Sequence, residues 1–466
     1  MRFDRIAEFT LSGRDIPQSA LDMAATLLID TVGVAAGATG LAAGRIARDH
    51  AFVFHGAGAP EHAASMMFDG RRASVPGAAF AAATQIDNLD AHDGLNQTKG
   101  HIGCAVVPAL FAFAENQPEL MARDALRALV VAYEIAARAA FALHASVSDY
   151  HTSGAWNALG VAAIGCRLRS ANPDQLRQAF GIAEYHGPRS QMMREIANPT
   201  MLHDGSGMGA LIGSMAALMA MHGFTGAPAI TVENEDAAQF WGDLGEVWTI
   251  EQNYIKPYPI CRWAHAALDA LSELMRAHRF HADDVTSITV NTFAESAALF
   301  PGMPATTSQA QYSLPFALAV MLVHGRIGPN EITGTGLTEP QVSALLPRIS
   351  VHEAARHSER FPEGRWSDVT VELKDGRRLA SGEMNARGGP EAPMDMHEVE
   401  AKFHIMAAAL SKARRRTIWE LREQLMQPEV KFEELARLVR VPMEELSLIH
   451  ISEPTRPERS GGGGVG

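Results

Sequence analysis

Residues 85–110, QIDNLDAHDGLNQTKGHIGCAVVPAL, hold Asp87, Asp90, Asp93, His92, His101 and Lys99 in a stretch broken by Gly94, Gly100 and Gly103. The flanks, AAFAAAT before and AVVPALFAFA after, are apolar and read as buried helices. Titratable groups on a glycine-broken loop between two buried elements are placed as an active-site floor requires, because a rigid scaffold holds the groups that react. His101 reads as an acid or base at the mouth of the second helix, against the plainer reading of a structural cap. Asp90 and Asp93 either orient it or cap the following turn. His92 has no evident role. A calcium loop starting at Asp87 fails on spacing: its glycine is misplaced, and the twelfth position is Thr98 rather than glutamate.

Other candidates lie further on. His151, in SDYHTSGAWNALG, repeats the local setting of His101. Lys256 lies in NYIKPYPICRWAHAAL, a proline-stiffened loop that also carries Arg262; it reads either as a polycarboxylate clamp or as an interdomain hinge. Arg189 and Arg194 either bind a carboxylate or pair with surface acids. Tyr312-Ser313 opens another apolar helix, with a core tyrosine and a capping serine as the plain reading. The run from Gly205 to Gly209 lacks the strand and spacing of a dinucleotide loop, yet Ser206 and its glycines open a helix whose N–H groups suit a carboxylate. No Gly-x-Ser-x-Gly elbow, His-Glu-x-x-His or P-loop occurs. This inventory of His, Lys, Arg, Asp and Tyr suits proton transfer at a carbon next to a carboxylate, with cations stabilising the enolate-like charge. No metal or cofactor is expected.

The scaffold that must position these groups is mostly α. Apolar residues recur at helical spacing after Ile16-Pro17, from Pro118 to Ala145, after the Asn172-Pro173-Asp174 cap, and from Gly205 to Met221. Up to about residue 260 almost no strand pattern appears. Ser287–Asn291, Arg348–Val351 and Asp368–Leu373 then alternate with period two, the last running into an Asp-Gly turn. Asp395 with Glu398 forms a capping box before a further core helix. The expected organisation is a large all-α domain over 1–266, an inserted α+β lid over 267–393 and the helical domain resumed over 394–446. The tail at 447–466 has no periodicity and reads as non-native or disordered.

The chain has 466 residues, more than one core accommodates, and a formal charge of −13 that argues against nucleic-acid and anionic-membrane partners. Three widely spaced cysteines exclude a disulfide framework and point to a reducing, cytoplasmic compartment. The most membrane-like run, Met208–Phe224, is too short and too rich in small residues to span a bilayer. The N-terminus carries acids where a signal peptide needs an apolar core.

The blocks LDAHDG, KGHIGCAVVPALFAFAE, YHTSGAWNALG, KPYPICRWAHAALDA, QYSLPFALAVML and VEAKF, in this order, resemble the MmgE/PrpD family over about residues 5–440. The resemblance implies a large helical domain with a smaller α+β lid, a homodimer, and metal-free chemistry on a small di- or tricarboxylate at the junction of the two. Matched by motif, His101, Asp90, His151, Lys256 and Tyr312 are the implied catalytic residues. From the residues themselves, Arg262, Arg189, His203, Asp93 and Ser206 are the expected substrate contacts. Ile102 stands where the family usually has proline, His92 interrupts its Asp-Asp pair, and His203 lies where many members have lysine. The segments AHDG, AEYHGPRSQMMR and MLHDGSGMGA look closest to the iminodisuccinate-epimerase branch. An epimerase is therefore expected, with a methylcitrate-type hydro-lyase or an inactive carboxylate-binding paralogue as alternatives.

Overall fold

The computed structural model describes residues 2–12 and 15–443; the tail read as non-native lies outside them. Its centre is the helix Gly103–Ala114, every residue of which is buried. A helix apolar on all sides can only sit inside a bundle. Helices Val75–Asp87, Ala122–Ser146 and Gly154–Leu168 pack around it, and Ser206–Met221 packs on Val75–Asp87 and Gly154–Leu168. Small residues make that closeness possible. A Cβ on Gly213 would come within 2.3 Å of the Ala158 carbonyl oxygen.

Helix starts follow the local signals. Asn172 and Gln175 form a reciprocal capping box ahead of Pro173–His186, as do Asp395 and Glu398 ahead of Met396–Met406. The strands cluster late in the chain. Val285–Thr292 lies parallel to Ile349–Glu353 and antiparallel to Trp366–Leu373, which pairs in turn with Arg378–Ala380 through the Asp-Gly turn. The buried side chains of Ile288, Val290 and Thr292 show the period-two pattern of a sheet covered on one face, and a register shift between Val285 and Ser287 sets the buried Val285 out of step. Helix His265–His278 packs against Trp366–Leu373. One strand pair precedes residue 260, Ala63–Ser65 with Arg72–Ser74, and three residues per strand are too few to give an alternating signal.

The membrane-like segment also differs from expectation. Among the described residues, the helix long and apolar enough to cross a bilayer is Gln18–Gly40, not Met208–Phe224, and most of it is buried inside the protein. Packing within the bundle accounts for its hydropathy.

After the sheet, the chain returns to this helix. Phe403 lies over Gly33, where any Cβ would sit 2.5 Å from the ring, and Lys402 Nζ donates to Asp30 Oδ2 at 2.6 Å and to the Ala91 carbonyl at 2.7 Å. Both members of this ion pair are buried. Burial raises the Asp30 carboxyl pKa and lowers that of Lys402, against the attraction between them. Removing one partner strands a buried charge, so Lys402→Met should lower the unfolding free energy by about 3–5 kcal/mol. Adding Asp30→Leu should recover most of that loss. Urea melts of the three proteins check this, and a single variant as stable as the wild type would refute it.

Candidate active site

The floor is built where residues 90–101 pair with residues 254–262. Tyr254 N donates to the Gly94 carbonyl at 2.8 Å, and Gly94 N to the Tyr254 carbonyl at 3.2 Å. This bridge carries Lys256 over Asp90. Asp90 adopts a left-handed backbone (φ 55°), which turns both its carboxylate and its carbonyl toward Lys256 Nζ; the carbonyl contact is 3.1 Å. Burial opposes the charge on Lys256, but Asp90, Tyr254 and Cys261 outweigh it, so the pKa lies above that of an ordinary lysine. The ammonium is charged at neutral pH.

His101 Nδ1 is 2.7 Å from the Asp93 carbonyl oxygen. A carbonyl only accepts, so Nδ1 carries the proton and Nε2 keeps its lone pair. Nε2 lies 3.6 Å from Asp204 Oδ2. Asp204 is held in turn by Ser153, whose Oγ donates to Asp204 Oδ1 at 2.7 Å and accepts from His101 N at 2.9 Å. Burial lowers the pKa of His101, Asp204 raises it and Lys256 lowers it further, with a net downward shift. The imidazole is thus neutral at pH 7, while a carboxylate stands ready to stabilise it once protonated. That is the arrangement of a general base.

His101, Asp90, Lys256, Tyr312 and Arg262 line one cavity, as their sequence patterns suggested. Its volume is about 20 Å³, room for roughly one water. An adjoining outer pocket of about 660 Å³ is lined by His203, Asp87, Arg194 and Glu195. His203 lines the larger pocket and its neighbour Asp204 the small cavity. The His203 ring also meets Tyr312 edge-on at 5.7 Å.

Other expected contacts lie elsewhere. Arg189 is exposed and lines neither space. His151 pairs with Gln191 and does not line the cavity, whereas its neighbour Tyr150 does. Asp93 contributes its carbonyl, while its carboxylate points toward Tyr133; a Cβ on Gly103 would lie 2.0 Å from that carboxylate. Burial pushes the Asp93 carboxyl up to about 7. Ser206 caps Asp87 rather than facing the cavity: its N donates to Asp87 Oδ2 at 3.1 Å. Asp90, expected to orient His101, is engaged by Lys256, and Asp204 stands beside the imidazole instead. Asp204, Arg365, Tyr254 and Lys99 complete the lining beyond the expected set. Asp204 does carry a sequence signal, an acid at a glycine turn before a helix, which resembles the setting of Asp93.

His92, unassigned from sequence, is fully buried between His101 (ring centroids 4.5 Å apart) and Asp87 (Nε2 to Oδ1 3.5 Å). Burial, His101 and Lys256 hold its pKa well below the usual range. Two donor sets with metal-like spacing converge on it, Asp87–His92–Cys104 and Asp90–His92–His101. In the second, a metal ion would compete with the Lys256 ammonium already bound to Asp90.

A helical bundle with a small sheet thus encloses a neutral histidine, a lysine–aspartate pair and buried arginines. The chain belongs to the MmgE/PrpD family: the MmgE/PrpD N-terminal domain matches residues 4–242 and the C-terminal domain residues 258–427. Among curated proteins it is similar to the cis-aconitate decarboxylase-like protein oryM of Aspergillus oryzae. The two are 23% identical over 459 residues, covering 87% of this chain and 90% of the relative.

The depressed pKa of His101 keeps the free base present at lower pH than for an ordinary histidine. The acid limb of kcat/KM should therefore have its midpoint below 6.5. Asp204→Asn removes a group that raises this pKa and should move the limb lower still. A pH–rate profile of both proteins checks it; a limb unmoved by the substitution would exclude Asp204 as the partner of the base.

Proposed function

We propose that this enzyme abstracts the α-proton of a small di- or tricarboxylate, with epimerisation as the outcome. The observation that supports this most is the lone-pair nitrogen of a neutral His101 at a small cavity whose wall also holds the charged Lys256. In this reading His101 Nε2 takes the proton, and the electron pair passes into the adjacent carboxylate. The resulting enediolate is stabilised by Lys256 and Arg262. Asp204 stabilises the imidazolium. Return of a proton to the opposite face, from Lys256, completes the epimerisation.

A second reading, a lyase, has support from the oryM relative, which is named for a decarboxylase, and from Tyr312, whose phenol is kept protonated by burial. Tyr312 would then act as the acid that assists a departing β-hydroxyl.

Incubation with candidate acids in deuterated water separates these readings. Deuterium at Cα without an alkene marks epimerisation, and a growing alkene absorbance marks dehydration. His101→Gln should slow exchange about 10²–10⁴-fold. Absence of exchange with every polycarboxylate tried would count against both.

A further inference from the structure

Beside His101 lies a buried cluster that the proposed reaction does not use. Asp87 ends the helix Val75–Asp87, His92 lies in the floor loop, and Cys104 stands in the first turn of Gly103–Ala114. His92 and Cys104 are completely buried, and Asp87 is 2% exposed. Both ring nitrogens of His92 and Asp87 Oδ1 have no hydrogen-bond partner among the described residues. The 3.5 Å between His92 Nε2 and Asp87 Oδ1 is too long for a good hydrogen bond. A buried polar group without a partner keeps the whole cost of leaving water. No lysine or arginine pairs with Asp87 among the described residues, and Asp204 and Asp90 act on it as like charges.

The spacing suits a metal ion. In a tetrahedral site with bonds of about 2.0–2.3 Å, ligand atoms stand roughly 3.3–3.6 Å apart. The 3.5 Å from Nε2 to Oδ1 meets that already. An Asp87 oxygen, a His92 nitrogen and Cys104 Sγ all lie within 4.8 Å of one another, so the sulfur needs to shift by about 1 Å at most. One nitrogen, one carboxylate and one thiolate form a mixed set that favours Zn²⁺ or Co²⁺ over Mg²⁺ and Ca²⁺, which prefer oxygen. A carboxylate and a thiolate together balance a dication, as a buried site requires. The other donor set, Asp90–His92–His101, already has Lys256 on its carboxylate. Asp87 also lines the outer pocket, which gives an ion its way in.

We propose that Asp87 Oδ1, His92 Nε2 and Cys104 Sγ bind a divalent ion of the zinc type, with Ser206 Oγ, 3.1 Å from the sulfur, as the fourth ligand. Binding passes the protons of the thiol and of any protonated carboxyl to solvent, so affinity rises with pH. The ion clamps the floor loop to the helices Val75–Asp87 and Gly103–Ala114. It takes no part in the reaction proposed above, and its test needs no turnover.

Titration of the full chain with Co²⁺, after chelation of any metal, provides that test. Four-coordinate Co²⁺ on a thiolate gives strong visible bands and a near-ultraviolet sulfur-to-metal charge-transfer band; histidines and carboxylates alone do not give the latter. The wild type should develop both sets of bands. Zn²⁺ should bleach them and Mg²⁺ should not, and Zn²⁺ should raise the melting temperature, because it binds the folded chain. Cys104→Ala should lose the charge-transfer band and bind Co²⁺ about 100-fold more weakly or worse, whereas Cys166→Ala should keep both. His92→Leu replaces two unpartnered nitrogens with an apolar side chain, so it should fold even if Cys104→Ala does not, and it should lose the visible bands. A wild type without the charge-transfer band, or a band that survives Cys104→Ala or His92→Leu, would overturn the proposal.

Discussion

The site depends on one buried contact, the Lys256 ammonium against the Asp90 carboxylate. Lys256 is completely removed from water, and an ammonium there is tolerable only with an acid beside it. To supply that acid, the loop after Val75–Asp87 turns left-handed at Asp90, and the bridge between Gly94 and Tyr254 sets the register of the two segments. The same loop then delivers Lys99 to one end of the cavity and His101 to the other. Loss of this ion pair would release both segments that carry the chemistry.

Behind this first layer lies a second made of groups that do not face the cavity. The Asp93 carbonyl sets the tautomer of His101, and Asp87 reaches both His92 and the N-terminus of Ser206–Met221. Lys402 joins the Ala91 carbonyl to Asp30, so the last third of the chain braces the floor as well. Most of these groups are neutral or paired, as a low-dielectric interior requires. The layer explains why Gly103 tolerates no side chain: the Asp93 carboxylate occupies that space.

The cavity is far smaller than a dicarboxylate, while the outer pocket lined by His203 is of ordinary ligand size. Burial of the residues around the cavity strengthens each charge interaction among them. Arg365, from the segment that leads into Trp366–Leu373, lines the cavity together with residues of the helical bundle.

Much of this was legible in the sequence. Helical periodicity, capping boxes at Asn172 and Asp395, and the period-two runs beyond residue 285 are local signals, and they appear as helices and strands where expected. His101 and Lys256 were recognisable because each stands next to glycine or proline, Asp90 by its acid-rich loop, Arg262 by its proline-stiffened loop, and Tyr312 through the family motif. The pairings were not legible. Whether Asp90 serves His101 or Lys256 depends on a backbone φ and on a contact 166 residues away in sequence. Asp204 and Arg365 reach the cavity from distant segments, and His151 and Arg189, plausible by type, do not line it. Composition and spacing specify which residues can do chemistry. Only the fold decides which charges share a desolvated space, because that depends on long-range packing and on the cost of leaving a buried charge without a partner.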